Sequence, residues 1–234
     1  MPEGAQGGMA DTGSTPANCS PQWSVGGGGG IRIGHGYDLH RLDRLPPAGH
    51  GKPFVLGGVA LSSPASPTDA GGIDGRGDGG AGGGGTGGGG GGCGGGGGVG
   101  GVGPVGHSDG DVLLHAVTDA LLGALALPDI GQLFPDSDPR WAGADSWRFV
   151  DEAMRLVRSR GWRVANLDCT VILERPKLAP IKDAIRRGIA DRLGVDLSCV
   201  NVKGKTHEKV DAVGEGRAVE AHAVVLLVRS EAGA

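Results

Sequence analysis

The sequence predicts a single-domain α/β (α+β) fold, in which one layered, mixed β-sheet carries its helices on one side. Segments with strand character alternate with amphipathic helical segments between residues 31 and 229, which is typical of layered α/β domains. When two glycine-rich regions are set aside, about 160 residues remain, which is enough for one hydrophobic core.

Glycine marks the boundaries of this domain. The chain has 234 residues, of which 51 are glycine, and most of these fall in two blocks. We interpret residues 1–30 as a disordered N-terminal segment, and residues from about 62 to 103 as a disordered glycine-rich insertion in a surface hairpin. The insertion lacks the ending of a phosphate-binding loop and the arginine and aromatic residues of RNA-binding repeats. The predicted domain therefore covers 31–230, and 231–234 form a tail.

Charge and composition argue against several classes of partner. The formal net charge of −4 gives no general attraction to nucleic acid or to an anionic membrane, and no apolar run reaches transmembrane length. The four cysteines are widely separated, which argues against a cysteine zinc site or a disulfide framework and favours a reducing compartment. No Lys or Arg precedes Arg32, so we expect a presequence to be either absent or missing from this sequence.

The first predicted strand, Ile31–Leu42, carries two side chains that can bind metal. In an extended chain, period two places Asp38 and His40 on one face and Tyr37 and Leu39 on the other. The strand therefore presents a carboxylate and an imidazole side by side.

The first predicted helix begins in a polar turn, where Asp109 and Asp111 suit the exposed N–H groups of a helix start. His115 and Asp119 follow at intervals of four residues, so they share one face with Asp111. The opposite stripe is apolar, and Pro128 ends the pattern. The stripe consists of Val112, Ala116, Ala120 and Ala124, with Leu113, Val117, Leu121 and Leu125 beside them.

The remaining elements alternate in type. A short strand is expected at Phe54–Leu61, with a bulge or kink at Gly57 and Gly58, and a polar loop at Asp129–Asp145. Helices are expected at about Ser146–Arg160, capped by Asp145 and ended by Gly161, and from about Ile181 to a close at Gly194. The other strands are expected at Trp162–Glu174, Val200–Thr206 and Ala218–Arg229. Alternate residues from Leu167 to Leu173 should face one way. Residues Ala221–Arg229 are apolar enough to be buried on both faces.

Asp38 and His40 on the strand, together with His115 on the helix, form a candidate metal site. Three protein ligands with an open fourth position are the signature of a catalytic zinc. Spacing alone leaves another interpretation open, in which these residues are a capped turn and a solvated histidine.

Four other segments carry chemically useful groups, and each has a simpler structural explanation. His107 and Ser108 precede a helix and could attract an anion or only cap the helix. The segment Phe134–Asp138 could form a lid or an ordinary Pro/Asp turn. Glu174–Pro180, with Lys177, could hold a base or a phosphate, or only start a helix. Lys203–Lys209 could bind phosphate oxygens and a second divalent cation, or form a solvated strand end.

Taken in order, these motifs identify the chain as similar to a known family. The segments GHGYDLHRL, GHSDGDVLLHAVTDALLGAL, DIGQLFPDSDP, ADS, ERPKLAP and VNVKGKTHEK resemble the 2-C-methyl-D-erythritol 2,4-cyclodiphosphate synthases. The resemblance covers residues 31–229 apart from the glycine insertion. It implies a homotrimer around a central axis, with active sites between subunits. The implied reaction converts 4-diphosphocytidyl-2-C-methyl-D-erythritol 2-phosphate into the cyclic diphosphate and releases CMP, as a step of non-mevalonate isoprenoid biosynthesis.

The resemblance also implies a role for each matching residue. Asp38, His40 and His115 correspond to zinc ligands, with a substrate phosphate oxygen in the fourth position, and Glu208 to the ligand of a magnesium or manganese ion between the phosphates. His107 and Thr206 correspond to residues that stabilise the transition state. The residues that match substrate contacts are Ser108, Asp129, Ile130, Gly131, Phe134, Pro135, Asp136, Ser137, Asp138, Leu173, Pro176, Lys177, Leu178, Ala179, Lys205 and His207.

Two departures from the family pattern qualify these expectations: the glycine insertion, which we expect to bulge from the trimer, and the residues beside a central channel. Ala212 and Glu215 stand near places where many members carry an aromatic residue and an arginine beside a channel along the trimer axis, which accepts isoprenoid diphosphates. The segment EKVDAVGEGR resembles members from photosynthetic eukaryotes, which implies the chloroplast stroma, whereas another source would imply the cytoplasm. Two alternatives to the synthase are a zinc-dependent phosphoesterase that uses a bound hydroxide, and a metal-dependent trimeric scaffold with an anion pocket.

Overall fold

The computed structural model describes residues 30–61 and 101–230. Its strands are β1 (Ile31–Arg44), β2 (Val55–Leu56), β3 (Val59–Ala60), β4 (Val102–Pro104), β5 (Trp162–Ile172), β6 (Val200–Lys205) and β7 (Ala218–Arg229). Its α-helices are α1 (Val112–Ala124), α2 (Ile130–Leu133), α3 (Trp147–Ser159), α4 (Lys182–Leu193) and α5 (Asp211–Gly214). Short 3₁₀ turns lie at Pro139–Trp141 and Leu197–Cys199.

Five strands form one mixed sheet in the order β4-β1-β7-β5-β6. The β5–β6 pair is parallel, and the other three pairs are antiparallel. Helix α1 packs across β1 and β7, while α3 packs on β5 and α4 on β6. The predicted mixed sheet with helices on one side is therefore confirmed for the described residues. No helix in those residues is both long enough and apolar enough to cross a bilayer.

Strand β1 has the predicted two-sided character. Gly34 and Gly36 are buried against α1, whereas Ile33, Tyr37 and Leu39 are exposed on the opposite face. Asp38 and His40 lie on the helix-covered face, as period two predicts. The sheet therefore aims both ligand types at α1.

Two glycines on β1 allow α1 to lie directly on the strand. A Cβ atom at Gly34 would come within 1.9 Å of the Ala120 carbonyl oxygen, and one at Gly36 within 1.9 Å of the Ala116 carbonyl oxygen. Real Cβ atoms do not approach backbone oxygen so closely, so only glycine fits here. This contact brings His115 of α1 beside Asp38 and His40 of β1.

The prediction that β7 is buried on both faces is wrong for the single chain. Val219, Ala221 and Ala223 are buried beneath α1, but Val224 on the other face is 43% exposed. Hydrophobicity indicates that a face avoids water without revealing what covers it. The uncovered face includes Ile31, Ile33, Tyr37, Leu39 and Val224.

Three local predictions also need correction. Gly57 and Gly58 form the turn of a β2–β3 hairpin instead of a bulge, because both have positive φ and the flanking strands pair directly. The predicted insertion reached residue 103, yet β4 pairs with β1 there; residues 62–100 lie outside the described residues, as do 1–29 and 231–234. The predicted loop at Asp129–Asp145 contains α2 and a 3₁₀ turn, started by Asp side chains that accept backbone N–H groups.

Candidate metal centre

Three side chains from β1 and α1 converge at one point. Asp38 Oδ2 lies 3.0 Å from His40 Nε2 and 2.9 Å from His115 Nδ1. The two ring nitrogens are 3.1 Å apart, which completes a nearly equilateral triangle. These residues form the one group of three potential metal ligands found in the described ranges.

The triangle fits a small divalent cation. A tetrahedral zinc with bonds of about 2.0–2.1 Å separates its ligand atoms by about 3.3 Å, close to the spacing observed. Two imidazoles and one carboxylate are also a common catalytic donor set, because they leave a fourth position open. The side chains of Asp38, His40 and His115 are 28%, 15% and 12% exposed, so the centre is sheltered but not sealed from solvent.

The outer ring nitrogens of both histidines have hydrogen-bond partners. His40 Nδ1 lies 3.2 Å from the Val105 carbonyl oxygen, which can only accept. The neutral His40 ring therefore carries its proton on Nδ1 and turns the lone pair of Nε2 toward the triangle. His115 Nε2 lies 3.0 Å from Ser108 Oγ and 2.9 Å from Ser146 Oγ. These partners orient the rings before any ligand arrives.

Charge within the triangle also favours a cation. Burial opposes ionisation of Asp38, but hydrogen bonds with His115 and His40 outweigh it and hold the pKa of Asp38 well below its usual range. Burial alone would lower the pKa of His40, but the hydrogen bond to Asp38 and its negative charge outweigh burial, so the pKa of His40 is raised. Asp38 is therefore a carboxylate at neutral pH, which is the form that binds metal.

The turn before α1 is built around the buried carboxylate of Asp111. Asp111 caps α1 by accepting the N–H groups of Leu113 and Leu114, as predicted, and also accepts those of Gly57 and Gly58 in the β2–β3 hairpin. Four backbone donors on one carboxylate tie the hairpin to the helix start. The orientation of His115 therefore depends on a network that the sequence pattern showed only in part.

The predicted anion-binding turn lies beside the triangle. Ser108 is buried and contacts His115 as described, whereas His107 is exposed. Lys52 Nζ donates to the His107 carbonyl oxygen at 3.1 Å and to the Ser108 carbonyl oxygen. Lys52 therefore holds the turn from outside and adds a positive charge near it.

The predicted lid is anchored by aromatic rings. Phe134 packs on Phe149 and Trp141 with ring centroids 4.8 and 5.2 Å apart, and Phe149 lies 5.8 Å from the His115 ring. Asp138 begins the 3₁₀ turn by accepting the Arg140 N–H, while Asp136 and Ser137 are exposed. The segment therefore borders the metal centre with its aromatic side and turns polar groups outward.

The Asp129–Gly131 turn is tied to the same helix as His115. Asp119, one helical turn after His115, accepts the Ile130 N–H at 2.7 Å, and Asp129 caps α2 through the Gln132 N–H. Movement of α1 would therefore also move this predicted substrate contact.

A second group of predicted residues lies at the other edge of the sheet. The N–H of Leu173 donates to the Lys205 carbonyl oxygen at 3.0 Å, which joins the end of β5 to the end of β6. Leu178 is buried, with its side chain near Gly204. Lys205, Thr206 and Glu208 are exposed, with a long contact of 3.4 Å between Thr206 Oγ1 and Glu208 Oε1. We call Leu173–Ala179 with Lys205–Glu208 the second group.

The fold keeps these two groups apart within one chain. In the sheet register Asp38 pairs with Ala221, Ala221 with Val171, and Val171 with Gly204. The second group begins two strand spacings from β1 at Leu173 and three at Lys205, which correspond to about 10 and 14 Å, so it lies beyond the reach of the metal triangle. The structure therefore brings together the zinc-type ligands and Ser108, and leaves the second group elsewhere.

Sequence reasoning missed several residues that shape the centre. Ser146 contacts His115 from 31 positions away, and Lys52 contacts the adjoining turn at His107 from 55 positions away. Ser146 stands in the ADS motif but suggested only a helix start. Such contacts depend on tertiary packing, so local spacing could not have indicated them.

Comparison with known proteins agrees with the geometry. The model of the YgbB family matches residues 96–228. The chain is 47% identical over 199 residues to the chloroplastic 2-C-methyl-D-erythritol 2,4-cyclodiphosphate synthase of Oryza sativa subsp. japonica, covering 85% of this chain and 70% of that protein. It is 44% identical over 200 residues to the synthase of Chromobacterium violaceum, covering 86% of this chain and 99% of that protein.

Solved structures show the same fold. IspF of Plasmodium falciparum, described as a CDP complex, aligns with a TM-score of 0.61 and 32% identity, covering 86% of this chain and 98% of that one. A 2C-methyl-D-erythritol-2,4-cyclodiphosphate synthase described as a CDP-bound form aligns with a TM-score of 0.61 and 36% identity, covering 84% of this chain and 99% of that one. The chain belongs to the YgbB family, the family of the 2-C-methyl-D-erythritol 2,4-cyclodiphosphate synthases.

Proposed function

We propose that the chain converts 4-diphosphocytidyl-2-C-methyl-D-erythritol 2-phosphate into 2-C-methyl-D-erythritol 2,4-cyclodiphosphate and CMP, in non-mevalonate isoprenoid biosynthesis. The observation that carries this proposal is the Asp38, His40 and His115 triangle beside the Ser108 turn, in a chain of this family. The relatives from Oryza sativa subsp. japonica and Chromobacterium violaceum carry the name 2-C-methyl-D-erythritol 2,4-cyclodiphosphate synthase.

The reaction needs positioning and charge neutralisation more than a protein nucleophile. An oxygen of the 2-phosphate forms a bond to the β-phosphorus, and the bond from that phosphorus to the bridging oxygen breaks as CMP leaves. Two anionic phosphates must therefore approach in line, and fixed groups of the protein can make this approach less costly. Zinc held by Asp38, His40 and His115 would supply positive charge to a phosphate oxygen.

The other residues fill roles around this centre. Ser108 binds phosphate, and His107 and Thr206 stabilise the transition state. The turn Asp129–Gly131 holds the erythritol, with Phe134–Asp138 as the lid over it. Glu208 would hold a magnesium or manganese ion, which would neutralise phosphate charge. The cytidyl and diphosphate contacts come from Leu173, Pro176, Lys177, Leu178, Ala179, Lys205 and His207.

We infer that the site is completed between copies of the chain in a homotrimer around a central axis. Both the zinc ligands and the second group must reach one substrate, yet two to three strand spacings, about 10–14 Å of sheet, separate them in a single chain. The uncovered face of β1 and β7 supports this assembly, because exposed apolar residues gathered on one face mark an association surface. Ala212 and Glu215 offer neither an aromatic ring nor a cation for an isoprenoid diphosphate in the channel.

We place the protein in a plastid. The matching plant relatives from Oryza sativa subsp. japonica and Arabidopsis thaliana carry the description chloroplastic, whereas the bacterial relatives do not. The EKVDAVGEGR segment supports the plant-like assignment.

A single incubation tests the proposed reaction. The purified chain, supplied with the cytidyl substrate, zinc and magnesium, should release CMP together with a cyclic diphosphate, identified by ³¹P NMR and mass spectrometry. An open-chain phosphate would instead indicate a zinc phosphoesterase. Substrate binding without turnover would indicate a trimeric scaffold.

A further inference from the structure

Ser146 has an unusual environment for a serine at the start of a helix. It occupies the N-cap position of α3, where a serine side chain normally accepts a backbone N–H. Here its side chain makes no capping bond, and Asp145 accepts the Trp147 N–H instead. Ser146 is also fully buried. Its hydroxyl therefore serves a purpose other than helix capping.

The hydroxyl of Ser146 joins Asp109 to His115. Asp109 Oδ1 accepts the Ser146 hydroxyl at 2.5 Å, and Asp109 Oδ2 accepts the Ser146 backbone N–H at 3.0 Å. Ser146 Oγ lies 2.9 Å from His115 Nε2. The Asp109 carboxylate thus holds both the backbone N–H and the hydroxyl of Ser146, while Ser146 Oγ faces the imidazole of His115.

The direction of these hydrogen bonds follows from the donors available. An ionised carboxylate only accepts, so the single hydroxyl proton of Ser146 points to Asp109. The lone pairs of Ser146 Oγ therefore face His115 Nε2, and that nitrogen must carry the proton. The neutral His115 ring then has its free lone pair on Nδ1, which is the corner of the metal triangle.

We propose that Asp109 and Ser146 are positioning residues that fix the tautomer and ring orientation of His115 for a divalent cation. Partners of this kind commonly set metal affinity in proteins. Ser108 also contacts His115 Nε2, but it belongs to the predicted phosphate turn, whereas Ser146 is inaccessible to substrate and acts only through His115. The inference rests on the metal site of the proposed function and is independent of which reaction occurs there.

Zinc affinity of the metal-free full chain tests this inference, measured by competition with a chromogenic chelator. We expect Ser146→Ala to bind zinc about 10–100-fold more weakly than the unaltered chain. Asp109→Asn keeps an acceptor oxygen but loses the charge, so it should bind several-fold more weakly. Thr118→Val is the matched control, because Thr118 on α1 is equally buried and its hydroxyl donates only to the Leu114 carbonyl oxygen. Its zinc affinity should not change.

The double variant separates a relay from two independent effects. If Asp109 acts through Ser146, the Asp109→Asn/Ser146→Ala chain should bind zinc no more weakly than Ser146→Ala alone. Additive losses would overturn the relay, and unchanged zinc affinity in Ser146→Ala would overturn the whole inference while leaving the proposed function intact. Failure of the unaltered chain to bind zinc would overturn both. If circular dichroism shows that Ser146→Ala does not fold, zinc affinity is judged in Asp109→Asn alone. An unchanged affinity in that variant would overturn the inference.

Discussion

The metal triangle and the second group differ in how completely one chain builds them. The metal triangle stands on a long strand, which carries Asp38 and His40, and on a buried helix, which carries His115. The outer ring nitrogens of the two histidines already have hydrogen-bond partners. Lys205, Thr206 and Glu208 are exposed at a strand end. One half of the proposed site is therefore preorganised, while under our proposal the other half is brought to it by a neighbouring chain.

Backbone conformation sharpens this difference. Glu208, Lys209 and Asp211 all have positive φ, which costs a non-glycine residue about 1–3 kcal/mol each. The Asp211 side chain supports this turn by accepting the N–H groups of Val213 and Gly214 and by pairing with His207 at 2.8 Å. The turn therefore stores strain at Glu208, to which the family resemblance assigns metal binding, and at the two positions Lys209 and Asp211 that follow it.

Removal of one triangle histidine should have the largest effect. His40→Ala or His115→Ala should abolish bound zinc and lower turnover by at least about a thousandfold, because two ligands cannot hold a catalytic zinc. Zinc content by plasma mass spectrometry and CMP release would be measured together. His50→Ala is the control, since His50 is exposed and outside the triangle. Full activity in either triangle variant would defeat the account.

Mixing two inactive variants should restore activity if the halves come from different chains. His115→Ala and Glu208→Ala, each inactive alone, should regain about a quarter of normal turnover after being unfolded together at equal concentrations and refolded as random trimers. In that mixture a quarter of the interfaces pair an intact triangle with an intact second group. No recovery in correctly assembled mixed trimers would show that each chain uses its own two halves.

The close contact between β1 and α1 should be the next most sensitive point. Gly36→Ala should lower the free energy of unfolding by about 3 kcal/mol or more, because its Cβ atom would collide with the Ala116 carbonyl oxygen. Gly123 lies inside α1, where an added Cβ atom would have the His35 carbonyl oxygen as its nearest neighbour, at 3.7 Å. Gly123→Ala should therefore raise the free energy of unfolding by up to about 1 kcal/mol, because alanine favours a helix more than glycine does. Urea unfolding compares the two. Equal stability of both variants would mean that the helix does not depend on this contact.

The smallest expected effect concerns Asp119. Burial raises its pKa, although the Ile130 N–H opposes the shift. Since the folded pKa exceeds the unfolded one, the stabilising contribution is present at low pH and is lost as pH rises through the raised pKa. Asp119→Asn should therefore melt slightly above the unaltered metal-free chain at pH 7 and equally at pH 3. A lower melting temperature at pH 7 would mean that the charge stabilises the preorganised half.

Much of the preorganised half could be predicted from the sequence, since its logic is local. Period two placed Asp38 and His40 on one face of β1, and the apolar stripe of α1 placed His115 on another face of that helix. The contact between strand and helix was not predictable from spacing alone. It depends on Gly34 and Gly36, whose role appears only when the Ala116 and Ala120 carbonyls lie against them.

The remaining features arise from contacts between distant segments. Asp111 could be predicted as a helix cap, but its bonds to Gly57 and Gly58 connect residues more than fifty positions apart. The β7 strand looked buried on both faces because its residues are apolar, yet within residues 30–61 and 101–230 only one face is covered. Ser146 could be explained as part of a helix start, and nothing in the sequence indicated its contact with His115.

A crystal structure of the zinc-loaded chain, with anomalous data collected at the zinc edge, tests directly whether the triangle holds zinc. We expect one strong peak within about 2.0–2.1 Å of Asp38 Oδ2, His40 Nε2 and His115 Nδ1. A zinc peak bound by other residues, or none at the triangle in a chain that turns over substrate, would contradict the account.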